Sequence, residues 1–194
     1  MKKALLVGGV VIALWLVWKP TPETLGPGIK VIHQPEQQVA ENRASFQMGG
    51  YSITPVSRFV IDAKVLAKKH YRTGREADLS PYDLALGWGP MSDESVLAAI
   101  SISQSGRWYR WSTTNFPIPR RDIETNSANM HMIPANETIK KDLDAIREGQ
   151  LVQLSGFLVN VDASDGWRWR TSTTRNDTGN GACEIVYVEQ VSFL

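Results

Sequence analysis

Leu151-Val152-Gln153-Leu154-Ser155-Gly156-Phe157-Leu158-Val159-Asn160-Val161 is the stretch that decides the fold. Apolar residues recur at every second position, Val152 and Leu154 before the glycine and Phe157, Val159 and Val161 after it. That is the period of a half-buried strand. The parity slips by one at Gly156, and a glycine at such a slip reads as a bulge that restores the register. Asp165-Gly166 is a strong hairpin signal. Residues 167–175 then read as the returning strand, 176–182 as a glycine-rich loop and 183–193 as the last strand. Everything after Gly149 therefore reads as antiparallel sheet.

Working back from this sheet, Asn136 caps a helix, because Ile139, Leu143 and Ile146 fall at helical spacing and Gly149 closes it. Residues 117–125 and 127–134 read as irregular. Residues 100–103 and 107–112 form a hairpin around Gln104-Ser105-Gly106. Ser92-Asp93-Glu94-Ser95 caps a short helix, with acids in the first turn where the helix dipole favours them. Ser80-Pro81-Tyr82-Asp83 opens another, with Ser80 as cap and Pro81 at the first helical position, ending at Gly87-Trp88-Gly89-Pro90. Residues 59–66 read as a strand and 72–78 as a polar loop. The fold class is α+β: a compact domain with a C-terminal antiparallel sheet or small, bent barrel of the oligomer-binding kind, under short covering helices.

The N-terminus has a different character. Met1-Lys2-Lys3 leads an unbroken apolar run over residues 4–18, closed by Lys19-Pro20. As a helix it would be about 22 Å long, short for a span yet longer than needed for a signal core. No small-residue cleavage pattern follows, since Trp15-Leu16-Val17-Trp18 is bulky. The indoles suit a membrane interface. The lysines place the N-terminus in the cytoplasm by the positive-inside rule. The expected organisation is a membrane anchor or signal-anchor over 1–19, an extended Pro/Gly/Gln-rich tether over 20–50 and one exported domain over 51–194. The expected location is the bacterial inner membrane, single pass, with the bulk periplasmic.

Removing Lys2, Lys3 and Lys19 from 21 basic residues leaves 18 against 20 acids, a net charge of −2 for the exported part. With no basic block, nucleic acid is not an expected partner. Cys183 is the single cysteine, so no intramolecular disulfide supports the fold. Three histidines, at 33, 70 and 131, show no metal-ligand spacing, and no phosphate-binding glycine pattern occurs. No metal and no cofactor is expected.

Four stretches have a specific composition: Leu79-Ser80-Pro81-Tyr82-Asp83-Leu84-Ala85-Leu86-Gly87-Trp88-Gly89, Ser127-Ala128-Asn129-Met130-His131-Met132-Ile133-Pro134-Ala135, Asp165-Gly166-Trp167-Arg168-Trp169-Arg170 and Asp177-Thr178-Gly179-Asn180-Gly181-Ala182-Cys183-Glu184. Together they resemble an uncharacterised family of bacterial single-anchor envelope proteins. The resemblance implies an envelope location and carries no substrate or reaction.

His131 and Cys183 are the sharpest candidates for chemistry, since a Cys–His dyad needs its members close in space but not in sequence. An N-terminal anchor, a β-rich domain and a histidine some 50 residues before a cysteine are also similar to the sortase transpeptidases. The match departs at the cysteine, where Asn180-Gly181-Ala182-Cys183 stands in place of Thr-Leu-x-Thr-Cys and no arginine follows. The plainer account makes Cys183 a small buried hydrophobe. Arg168 and Arg170 share a strand face opposite Trp167 and Trp169, and these indoles, like Trp108, Tyr109 and Trp111, serve either as core or as a stacking platform. The expected function is a binding or assembly module for an envelope protein or polymer, with a protein partner in the envelope and the membrane reached through residues 4–18. The alternative is a Cys–His acyl-transfer enzyme. Candidate binding residues are Asn129, His131, Arg170, Arg175, Asp177 and Asn180. The segments 127–134 and 176–182 are expected to lie side by side, with Arg170 or Arg175 near Asp177.

Overall fold

The computed structural model of the chain describes residues 21–40, 43–174 and 182–194. The expected membrane helix and the loop residues Arg175, Asp177 and Asn180 lie outside the described residues. Among these, no helix is long and apolar enough to cross a membrane.

The domain is dominated by sheet. In chain order the elements are β1 (Glu36–Val39), β2 (Phe46–Met48), β3 (Tyr51–His70), α1 (Arg75–Leu79), β4 (Tyr82–Gly87), α2 (Glu94–Leu97), β5 (Ser101–Ser105), β6 (Trp108–Ser112), α3 (Arg120–Thr125), β7 (Ser127–Pro134), α4 (Glu137–Ala145), β8 (Leu151–Ala163), β9 (Arg168–Trp169) and β10 (Glu184–Phe193). A 3-10 turn, Gly89–Ser92, follows β4. Eight strands form one sheet in the order β1-β3-β4-β7-β10-β8-β9, with β2 on β3, while β5 and β6 make a separate hairpin. β3 also pairs with β8 from Tyr51↔Ala163 to Lys64↔Leu151, so the pairings β3-β4-β7-β10-β8 return to β3. The sheet is mixed and not purely antiparallel, because β7 and β10 run parallel. Nor is it confined to the C-terminal third, since β3 and β4 are integral to it.

Period-two patterning explains most of this. In β3 the odd-numbered residues are buried along nearly the whole strand. A bulge between Pro55 and Ser57 turns the strand over. Tyr51 and Ile53 therefore pack in one cluster with Phe157, Val159 and Val161, whereas Phe59, Ile61, Ala63 and Val65 enter the main core with Val152, Leu154 and Leu158. The parity slip in β8 has the same origin. Val152 and Leu154 pack on one face and Phe157 and Val159 on the other, so β8 is covered on both sides and is not itself bulged. The opposing bulge is on β10, between Val188 and Gln190. Gly156 is where β10 comes closest: a Cβ there would lie 1.9 Å from the Tyr187 carbonyl oxygen.

Four segments differ from the sequence reading. Residues 82–87 form a fully buried strand instead of a helix. Tyr82, Leu84 and Leu86 alternate with Asp83, Ala85 and Gly87, and the inward set joins the main core; Pro81 sits just ahead of the strand, where its missing N–H costs no ladder bond. Residues 127–134 are strand β7, with Met130 and Met132 in the core and Ser127, Asn129 and His131 on the other face. β4 lacks the polar alternate face that advertises a strand, because both its faces are covered, whereas β7 does alternate, Ser127, Asn129 and His131 against Ala128, Met130 and Met132. Residues 120–125, read as irregular, and 75–79, read as loop, are short helices. α4 starts as expected: the Asn136 side chain accepts from the Thr138 and Ile139 N–H groups, and Ile139 and Leu143 are buried; it ends at Ala145, before Gly149, with Ile146 already in extended geometry.

Within the stretch read as a tether, residues 23–31 run along the domain. The N–H groups of Leu25 and Gly26 donate to the Glu94 carboxylate, and Val31 enters the main core. Glu94 also meets Lys64, a nearly inaccessible side chain whose Nζ donates to Glu94 Oε1 and to the Gly149 carbonyl, both at 2.9 Å.

Candidate functional site

Three neighbouring strands bring the site together. β4 pairs with β7 so that Asp83 lies directly across from His131, and β7 pairs with β10 so that His131 lies across from Ile185. Cys183 precedes Ile185 by two residues, which places it on the same side of the strand, diagonal to His131. The outer face of this trio therefore carries Asp83, His131 and Cys183 in a row.

The contacts follow that geometry. His131 Nδ1 is 2.9 Å from Asp83 Oδ1, and the Cys183 side chain lies beside the ring, close enough to help raise its pKa. With Nδ1 committed to Asp83, the nitrogen left for the thiol is Nε2. His131 is buried, as is Asp83, while Cys183 is half-buried. Burial works against the imidazolium, but the hydrogen bonds to Asp83 and Cys183 outweigh it, and the His131 pKa is pushed up to about 9. Trp169 packs on the imidazole at 4.9 Å between ring centroids. It thereby fixes the ring plane and keeps out water.

A second layer comes from the β5–β6 hairpin, which lies over the same face. Arg107 at its tip donates from Nη1 to Asp83 Oδ1 at 2.6 Å and sits 3.9 Å from the Tyr71 ring centroid. Its backbone N–H donates to the Tyr71 hydroxyl. Asn129 Nδ2 donates to the Arg107 carbonyl and Asn129 Oδ1 accepts from Gln104 Nε2, while the Tyr109 hydroxyl bonds Ser127 Oγ. Asp83 Oδ2 has no hydrogen-bond partner among the described residues.

Between the hairpin and the start of β10 lies a cleft of about 590 Å³. Cys183 opens onto it, with Asn129, Trp88, Trp108, Trp111 and Phe116 among its walls. Trp88 is almost wholly buried, and its indole N–H has no acceptor among the described residues. Arg120 stacks over Trp111 and pairs with Glu124 along the rim.

Of the expected site residues, Asn129, His131 and Cys183 come together. Arg170 is elsewhere: it pairs with Asp162 and donates to the Val161 carbonyl on the β8–β9 edge. Arg168 reaches the same Asp162 at 3.7 Å. Trp167 and Trp169 pack against each other and the second core cluster, so they are cover and not an open platform. Asp83 and Arg107 were not singled out by the sequence. Asp83 was hidden by the helical reading of residues 80–87; a strand reading would have placed it among alternating apolar residues, where a lone carboxylate asks for a partner. No signal short of the tertiary structure ties Arg107 to it. Among the described residues, no group of three or more histidine, cysteine or acidic side chains is arranged to hold a metal. Comparison with known proteins finds no protein family, no curated protein and no solved structure that matches this chain.

Proposed function

We propose that Cys183, His131 and Asp83 act as a nucleophilic triad and that this protein is a thiol-dependent acyl-transfer enzyme. The observation that carries the reading is the buried, hydrogen-bonded Asp83–His131 pair with the half-buried Cys183 beside it at the wall of a cleft. A buried imidazole held by a carboxylate is the base such a thiol needs. Attack requires the proton to rest on His131 and not on Cys183, and the raised His131 pKa favours that arrangement, an imidazolium beside a thiolate. The thiolate attacks a substrate carbonyl carbon: a C–S bond forms and the carbonyl π pair moves to oxygen. When the tetrahedral species collapses, the bond to the leaving nitrogen or oxygen breaks and the His131 proton goes to that atom. Water, deprotonated by His131, then attacks the thioester, the C–S bond breaks and an acid is released; an amine in place of water gives transfer instead. Asp83 holds the imidazole in the tautomer that serves the thiol and supports its charge.

The barrel supports the location of the site. The closed pairing β3-β4-β7-β10-β8 supports reading this part of the sheet as a small barrel of the oligomer-binding kind, a fold in which the second and third strands and the loops beside them hold the ligand. Here those strands are β4 and β7. The cellular setting rests on the N-terminal run: a lysine-led apolar segment at residues 4–18, with tryptophans at one end, supports a single-pass inner-membrane anchor with the domain exported. A second reading, a binding or assembly module for an envelope protein or polymer, draws support from the aromatic walls of the cleft and needs no chemistry at Cys183.

Alkylation of Cys183 distinguishes the two. Iodoacetamide at neutral pH, followed by intact mass, should modify wild-type protein rapidly, and His131→Asn should slow this by roughly ten-fold or more. Asp83→Asn should slow it less. A wild-type thiol that labels slowly, or at the same rate in a folded His131→Asn variant, leaves only the binding module.

A further inference from the structure

The cleft has a wall whose chemistry is set by backbone and not by side chains. β5 and β6 are joined by Gly106 and Arg107, with φ of 57° and 69°. Two successive positive φ values make this a two-residue type I′ turn, the tightest hairpin connection. In such a hairpin the residues flanking the turn, Ser105 and Trp108, exchange both backbone hydrogen bonds. Bonded pairs then alternate, so Ser103–Arg110 and Ser101–Ser112 are bonded as well. The intervening residues of β6, Tyr109 and Trp111, must turn N–H and C=O away from β5. That outward side faces the cleft, which β6 lines along its whole length. Among the described residues, no strand pairs with this edge.

We propose that the cleft takes its substrate as an extended peptide, added as a third strand to the free edge of β6 with a peptide carbonyl delivered to Cys183. The inference rests on the acyl-transfer reading above and names its substrate class. An unpaired strand edge is a template for another chain. Tyr109 and Trp111 together offer two donors and two acceptors at the spacing of every second peptide unit. Side chains of the added strand would alternate between the aromatic floor and solvent. Trp108 and Phe116, 40% and 50% exposed, favour apolar residues at alternate positions. The five residues of β6, Trp108–Ser112, span roughly 17 Å, enough for a peptide of about five or six residues. The unpartnered Trp88 N–H, on the barrel side of the cleft, supplies a donor for a peptide carbonyl. Aromatic walls alone would suit a sugar chain equally; the ladder of backbone groups is what a sugar does not use.

The test uses Cys183→Ala protein, so that binding is read without turnover, and acetylated hexapeptide amides carrying phenylalanine or leucine at alternate positions. Calorimetry should find binders among them. N-methylation of the best binder, one peptide nitrogen at a time, should cost about ten-fold or more at alternate positions only, because every second N–H faces β6. Trp111→Pro removes an outward N–H and should abolish binding. Trp111→Val keeps that N–H and should weaken binding less. Chitohexaose is the sugar probe. Binding of chitohexaose and not of any peptide, or N-methyl effects without the two-residue alternation, would overturn the peptide proposal. Parity-dependent peptide binding with no His131-dependent alkylation of wild-type Cys183 would instead overturn the enzyme and keep the peptide site. His131-dependent alkylation with no peptide binding would do the reverse.

Discussion

His131 is the residue on which the site depends, and its surroundings make its charge part of the fold's stability. Its pKa is raised in the folded protein, to about 9, above the ordinary value of about 6.5. The stabilisation this brings is therefore complete below about pH 6.5 and is lost as pH rises through about 9. Thermal melts from pH 6 to 10 should show wild-type stability falling across that window more steeply than His131→Gln. Equal slopes would mean that the imidazole carries no charge in the folded state. Arg107 is the second such residue. It holds a positive φ that a side chain makes costly, yet its guanidinium meets a buried carboxylate. Arg107→Ala should destabilise by about 2–3 kcal/mol, since it leaves Asp83 with one partner fewer. Arg107→Gly loses the same pair but relieves the backbone, and should be about 1 kcal/mol less costly. Urea denaturation of the two variants checks the ordering; an Arg107→Gly variant worse than Arg107→Ala would show that the turn is not strained.

At the scale of elements, β8 and β10 are tightly apposed at Gly156. Gly156→Ala pushes a methyl into the Tyr187 carbonyl. The backbone must move where β10 is already bulged, so a loss of about 3 kcal/mol is expected. A fluorescence-monitored urea midpoint is the measurement, and an unchanged midpoint would mean that β10 can shift freely. The β5–β6 hairpin is the other telling element. It joins the rest of the domain through a small third cluster around Met91, Ile100 and Ile123 and through the polar contacts of Arg107, Gln104 and Tyr109. It is thus a wall held mainly at its tip and base, and among the described residues no strand pairs with its outer edge.

For the molecule as a whole, residues 23–31 act as a strap. Glu94 receives Leu25 and Gly26 while holding Lys64, Ser92 Oγ accepts from the Lys30 and Val31 N–H groups, and the Val31 carbonyl accepts from Gly89. The contacts converge on the turn after β4, the strand that carries Asp83. A chain beginning at residue 32 should melt roughly 4–8 °C below one beginning at residue 21. The basis is about 2 kcal/mol from losing Val31 burial and these bonds. Equal melting temperatures would show that the strap contributes nothing. Because the strap grips the 89–94 turn, the shorter chain should also show slower Cys183 alkylation if the triad reading holds.

The sequence by itself determined the local pieces. The apolar run 59–66 marked part of one long strand and the alternation in 151–161 most of the other, Asn136 and the Ile139–Leu143 spacing placed the start of the long helix, and Ser92-Asp93-Glu94-Ser95 placed the short one. His131, Cys183 and Asn129 were also legible as a group, as polar or reactive side chains in stretches of unusual composition. What only the tertiary structure decided was which strand lies beside which. A period of two tells which residues share a face; it is silent on the neighbour across the ladder and on whether the second face is covered. β4 is covered on both faces, so its pattern did not read as a strand; the alternation of 127–132 was present in the sequence, but it could not show that β7 pairs in parallel with β10, some fifty residues away. That pairing sets Cys183 diagonal to His131 and Asp83 across from it. The triad is therefore a property of strand register, which is fixed by the packing of the whole core and not by any local stretch.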